Sequence, residues 1–179
     1  MAKAAIMPAL DITVTVEDDN WLRNLPDAEA LVAGAVHAAL AAARADDIAG
    51  TPAPKAATAY DMGVVLTDDA RIRKLNSEWR DQDKPTNVLS FENPEEPPEG
   101  APWQLGDVVV AFGVTAAEAE SSGISLADHL SHLVVHGVLH LFGYDHIIDE
   151  DAEEMEELEK RVLSGLGVAD PYGPDGPQA

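Results

Sequence analysis

The chain has 179 residues, 46% hydrophobic and 25% charged, with a formal net charge of −22 and no cysteine. Length and composition suit one soluble globular domain, residues 1–179, with a single sizeable core. Disulfides and thiolate metal sites are excluded, and the acidic balance argues against a generic nucleic-acid binder, with no DNA partner expected.

Met1 to Leu10 does not read as a signal peptide, because its apolar run is short and broken by Pro8. No apolar run reads as membrane-spanning, so the expected location is the cytoplasm and no membrane partner is expected. Residues 1–9 read as a loose terminus. Leu10-Asp-Ile-Thr-Val-Thr-Val-Glu17 alternates apolar and polar, which predicts a strand. From Asp27 to about Arg44, Leu31, Val32, Ala35, Val36 and Leu40 recur at helical spacing. His37 stands alone there and reads as structural or exposed. Gly50-Thr-Pro-Ala-Pro54 reads as a loop.

Ala57 to Thr67 predicts a second strand. Asp68 or Thr67 can cap a helix running to about Arg80, with Ile72, Leu75 and Trp79 as its buried stripe. Lys84-Pro-Thr86 is a turn and Asn87 to Phe91 a short strand. Asn93 to Ala101 reads as an exposed loop. Leu105 to Phe112 reads as an interior strand, and Thr115 to about Ser122 as a short helix.

Ser125-Leu-Ala-Asp128 has the shape of a capping box, with Asp in the last position. The helix it starts carries Leu126, Leu130, Leu133, Val134, Val138 and Leu141 on one face, and Val135 and Leu139 beyond it. A helix apolar nearly all round is buried, so this one is central. Asp149 to about Gly165 forms a last amphipathic helix with Met155, Leu158 and Val162 inward. Residues 167–179, rich in Pro and Gly, read as a loose end.

The central helix ends in His136-Gly-Val-Leu-His140-Leu-Phe-Gly143-Tyr-Asp-His146. His136 and His140 lie one turn apart on one face. Gly143 can adopt positive φ and stop the helix, and the returning chain brings His146 as a third ligand. Three imidazoles leave a fourth tetrahedral position open, as in a catalytic zinc site, although other transition metals suit them too. His129 and His132 read as packing or as supports for the ligands. Asp145 reads as orienting a ring or capping the turn. The spacing also matches the metzincin peptidase signature, which needs Glu directly after the first His. Gly137 stands there, and a missing general base usually costs ~10²-fold or more in rate.

The motif resembles the signature of the YbeY family, bacterial endoribonucleases of ribosomal RNA maturation. Leu75-Asn-Ser-Glu-Trp-Arg80, Lys84-Pro-Thr-Asn-Val-Leu-Ser-Phe91, Leu105-Gly-Asp107, Glu153-Glu-Met-Glu-Glu-Leu-Glu159 and Asp170-Pro-Tyr172 match the family's other blocks in order, across roughly residues 57–172. Asn87 departs from it, since the family usually carries Asp there, which puts any role of that carboxylate in orienting Arg80 or a water in doubt. The resemblance implies an α/β (α+β) fold, a small mixed four-stranded sheet packed with helices, with the metal site at the end of the central helix. It implies one Zn2+ held by His136, His140 and His146, with Arg80 as the functional arginine. The implied activity is single-strand-specific RNA cleavage, in 16S ribosomal RNA 3′-end processing and ribosome quality control. Zinc would activate a water or polarise a phosphoryl oxygen, and the RNA 2′-OH is the other available nucleophile.

Five of the 11 basic residues fall between positions 71 and 84: Arg71, Arg73, Lys74, Arg80 and Lys84. Arg80 suits a phosphate through its planar fork. Arg71, Arg73, Lys74 and Lys84 are candidate RNA-backbone contacts, and a solvated surface reads as well for each. Trp79 could stack a base, but the helical pattern favours a core position. The acidic surface fits recognition through the ribosome or ribosomal proteins better than unaided grip on RNA. Two rivals stay open: a metal-dependent hydrolase of a peptide or small phosphoester, and a non-enzymatic ribosome-assembly protein with structural zinc.

Overall fold

The computed structural model describes residues 8–45 and 57–174. The reading of Gly50–Pro54 as a loop, most of the first expected loose end and residues 175–179 of the second fall outside them. The elements are β1 (Ala9–Val16), α1 (Asn20–Asn24), α2 (Ala28–Ala45), β2 (Ala59–Thr67), α3 (Asp69–Arg80), β3 (Val88–Glu92), β4 (Trp103–Ala111), α4 (Phe112–Ser122), α5 (Leu126–Leu141) and α6 (Asp149–Gly165). The strands form one sheet in the order β1-β2-β4-β3. β1 and β2 pair in parallel, as do β2 and β4, while β3 runs antiparallel to β4 and forms an edge. This is the expected mixed four-stranded α+β fold. Parallel neighbours need a crossover, and α2 carries the chain from β1 to β2.

The sheet divides the core unequally. One face meets α2, α5 and α6 around residues such as Val36, Leu66, Val108, Val134 and Leu158. The other is covered by α3 through a small cluster of Ile72, Leu89, Val109 and Ala111. α2 is 18 residues long with mean hydropathy 1.2, which meets the length and composition of a membrane-crossing helix, contrary to the sequence reading. Here Ala28, Val32, Ala35, Val36, Ala39, Leu40 and Ala43 are buried in the main core.

Local signals explain the helix starts. The Asp68 side chain accepts from Arg71 N–H at 2.7 Å, and Ser125 Oγ accepts from Asp128 N–H at 3.0 Å, each satisfying a donor that the first turn leaves unpaired. Three features escaped the sequence. The five-residue α1 is pinned by fully buried Trp21, whose Nε1–H donates to the Thr67 carbonyl at 3.1 Å. α4 begins at Phe112, which meets Trp21 edge-on with ring centroids 5.2 Å apart. Trp79 is not part of a buried stripe but is 68% exposed. It sits in the last turn of α3, at the sheet's edge, where Phe91 of β3 meets it edge-on at 6.1 Å.

α5 is buried as expected, packed between β3 and β4 on one side and α2, α4 and α6 on the other. Gly137 makes that seat possible. A Cβ there would lie 2.7 Å from Val108 Cγ1 and 3.2 Å from Ser90 Oγ. Ser90 Oγ–H donates to the Gly137 carbonyl at 3.1 Å, locking helix to strand. Overpacking of this kind typically costs about 1–3 kcal/mol. Gly137→Ala should therefore lower the urea unfolding free energy by about that much. Gly34→Ala in α2, where nothing lies within 4 Å of the added carbon, should be neutral or slightly stabilising.

Candidate metal centre

α5 ends in a Schellman motif that aims the chain back at its own last turn. Gly143 adopts φ 87°. Its N–H donates to the His140 carbonyl at 2.9 Å, and Tyr144 N–H donates to the Leu139 carbonyl at 3.1 Å. Tyr144 is buried against the core, so the turn is anchored. Asp145 then accepts the His146 backbone N–H at 2.7 Å, capping the turn. His136, His140 and His146 each offer a ring nitrogen, and these nitrogens all lie within 4.8 Å of one another.

The ring orientations fit a metal. His136 Nδ1 donates to Glu159 Oε1 at 2.5 Å, and His140 Nδ1 donates to the Tyr144 carbonyl at 2.8 Å. Each Nδ1 therefore holds the proton, and each Nε2 presents a lone pair. The two Nε2 atoms face each other at 3.0 Å. With both rings neutral, two acceptors so placed are satisfied by a cation between them. The corresponding ligand–ligand separation in a tetrahedral site with ~2.0–2.1 Å bonds is about 3.3 Å. Burial, then the charges of His136 and His146, push His140 down to about 4 against the opposing Tyr144 carbonyl and Asp145. Its ring is neutral at pH 7, as a ligand must be.

Glu159 is the residue the sequence reading missed. It falls on the inward face of α6 beside Leu158, an acidic side chain among apolar positions, and its exposure is 0%. That placement was the available signal. Its Oε1 takes His136, while Oε2 takes His132 Nε2 at 3.3 Å and the Tyr172 hydroxyl. Burial by itself would raise the Glu159 carboxyl, but the hydrogen bonds from His132, His136 and Tyr172 and the charge of His136 prevail and hold it at about 2. Burial and the Glu159 charge push the Tyr172 phenol up. His132, His136 and Glu159 also form a second group of potential ligands, drawn together here by the hydrogen bonds of both rings to the carboxylate. His132 thus shares the Glu159 carboxylate with His136 and meets the His136 ring edge-on. Tyr172 and buried Pro171 correct the expectation of a loose end from Gly167, since the described part of that segment returns to α5 and α6.

A cavity of about 500 Å3 collects the site, lined by His136, His140, His146 and Arg80 among others. Arg80 closes α3 and donates from Nη2 to the Ser90 carbonyl of β3 at 3.1 Å. Asn87 also lines the cavity but does not orient Arg80. Its Nδ2 donates to both Glu118 oxygens, at 3.3 and 3.1 Å, and Glu118 in turn pairs with His129 Nε2 at 2.7 Å. Arg71 lies across β3 in a second hollow, 4.0 Å from Glu17. Arg73, Lys74 and Lys84 line neither hollow. Arg73 is paired bidentately with Asp83 at 2.8 and 3.0 Å, and Lys74 is 3.9 Å from Glu78.

Two outcomes follow for the metal-free and metal-loaded protein. Removing a carboxylate that holds a ligating imidazole typically costs 10- to 100-fold in metal affinity. Glu159→Gln should do so in a chelator competition titration, with the helical circular dichroism retained. The pH dependence has a definite sign. His140 falls from 6.5 to about 4 on folding, so between those values the unfolded chain binds a proton that the fold refuses, and stability drops as pH falls. Glu159, shifted from 4.5 to about 2, extends the loss below pH 4.5. Thermal midpoints of metal-free protein should decline from pH 6.5 downward, and His140→Gln should flatten the part between 6.5 and 4. An equal slope in both would remove His140 as the cause.

Known proteins match over the elements that carry these residues. The family model described as Endoribonuclease YbeY matches residues 35–167. The protein named Endoribonuclease YbeY from Azorhizobium caulinodans is 51% identical over 163 residues, covering 91% of this chain and 96% of that one. Its namesake from Paramagnetospirillum magneticum is 47% identical over 168 residues, covering 92% and 96%. A solution structure of a Thermotoga maritima protein aligns over 87% of both chains at 25% identity, with a TM-score of 0.47. The model spans α5 with its three-histidine end, Arg80 and Glu159, and the relatives run nearly end to end with the chain: it belongs to the Endoribonuclease YbeY family.

Proposed function

We propose that this protein is a zinc-dependent endoribonuclease that cuts single-stranded RNA, acting in the cytoplasm in ribosomal RNA maturation at the 16S 3′ end and in ribosome quality control. The observation that carries the reading is the meeting of His136, His140, His146 and Arg80 in one cavity. The relatives' name, Endoribonuclease YbeY, supports the reaction class. A bound zinc ion would supply Lewis acidity and lower the pKa of a water to ~7. The chain's own groups do the rest. Glu159 and the Tyr144 carbonyl hold the His136 and His140 rings by their Nδ1–H groups, so the lone pairs point into the cavity. Arg80, braced on the Ser90 carbonyl, offers its other N–H groups to phosphate oxygens as charge grows on them. Gly137 puts no carboxylate at the position directly after His136, where a peptidase of this spacing holds its base, which favours a phosphodiester over a peptide. The net charge of −22 favours docking through basic ribosomal proteins.

The test compares variants on a short single-stranded RNA ending in the 16S 3′ sequence, with its duplex and casein as other substrates. Arg80→Ala should keep its zinc by metal analysis and lose on the order of 10²- to 10³-fold in cleavage. His140→Ala should lose both zinc and cleavage. Full cleavage by thoroughly chelated protein, or equal cutting of the duplex, would overturn the assignment.

A further inference from the structure

Across β3 from the histidine cavity lies a second hollow of about 660 Å3. Arg80, Ser90 and Glu92 line both, so the two join around the edge of the sheet. Its outer wall is Trp79, which is 68% exposed, and its floor includes Leu75, Phe91 and Val109. A large indole left in water forgoes the hydrophobic gain of burial. The Phe91 ring meets it edge-on, at 68° and 6.1 Å, which steadies the indole while leaving most of it open. The charges in the hollow are mixed: Glu17, Glu92 and Asp107 outnumber Arg71 and Arg80. Carboxylates there repel phosphate but accept N–H groups. The fitting guest is therefore a flat ring carrying N–H groups, with its phosphate outside at Arg80.

We propose that Trp79 and the floor beside it form a stacking subsite for one nucleobase of single-stranded RNA, next to the phosphate that Arg80 holds. The proposal rests on the endoribonuclease reading above and adds the part of the substrate that the histidine cavity does not contact. On this view the strand bends over the edge of β3, base on one side and reacting phosphodiester on the other.

The experiment uses the full chain loaded with zinc and a short single-stranded RNA, alongside copies with one abasic nucleotide at successive positions. For wild type, one abasic position should raise KM by about 10- to 100-fold, the range that loss of one base–aromatic stack gives, with kcat nearly unchanged. Trp79→Ala should raise KM on intact RNA by a similar factor and be insensitive to that abasic position, and Trp79→Tyr should restore both. Intact RNA should quench tryptophan emission in wild type well beyond Trp79→Phe, because Trp21 is buried and Trp103, partly buried against the main core, lines neither hollow. Wild-type KM and an unchanged abasic profile in Trp79→Ala would overturn the subsite alone and assign the exposed indole to a protein partner. If zinc-loaded wild type neither binds nor cleaves RNA, the functional reading falls and the subsite with it.

Discussion

A carboxylate with no solvent exposure is stable only when its charge is met on every side, and Glu159 sets that condition at the centre of this fold. Its partners come from two other parts of the chain: His132 and His136 on α5, and Tyr172 from beyond α6. Satisfying one buried charge therefore fixes α6 against α5, brings the C-terminal segment back, and decides which nitrogen of His136 carries its proton. The hydrogen bonds that keep the fold from burying a bare anion also leave His136 Nε2 ready for a metal. Stability and ligand orientation are here one set of bonds.

The other constraint is steric. α5 reaches β4 closely enough that residue 137 has no room for a side chain. The position where a peptidase of this spacing would hold its base is filled by the sheet instead. The distinction between the two chemistries is thus built into helix–sheet packing. Changing it would mean lifting α5 from Val108 and losing the Ser90 bond.

What the sequence revealed was what local chemistry determines. The spacing of His136, His140 and His146, the stop at Gly143, the caps at Asp68 and Ser125 and the all-round burial of α5 are written in runs of a few residues. Trp79 was misjudged because periodicity gives the face of a helix but not where the sheet beneath it ends. Glu159 was overlooked because a carboxylate in a Glu-rich helix looks solvated until α5 supplies its donors. Asn87 could not be placed from its departure from the family pattern. Its partner, Glu118, lies on α4, a contact that exists only once the chain has folded.

β3 is the outermost strand, and one of its backbone carbonyls, that of Ser90, is occupied by the Arg80 guanidinium. Edge strands offer unpaired backbone groups to any other chain that can line up with them, and charged side chains laid across the edge are a common guard. Arg80 provides such a guard in an awkward place, beside an exposed tryptophan. Losing the arginine proposed for phosphate would therefore also uncover one of the backbone acceptors that an added strand would need.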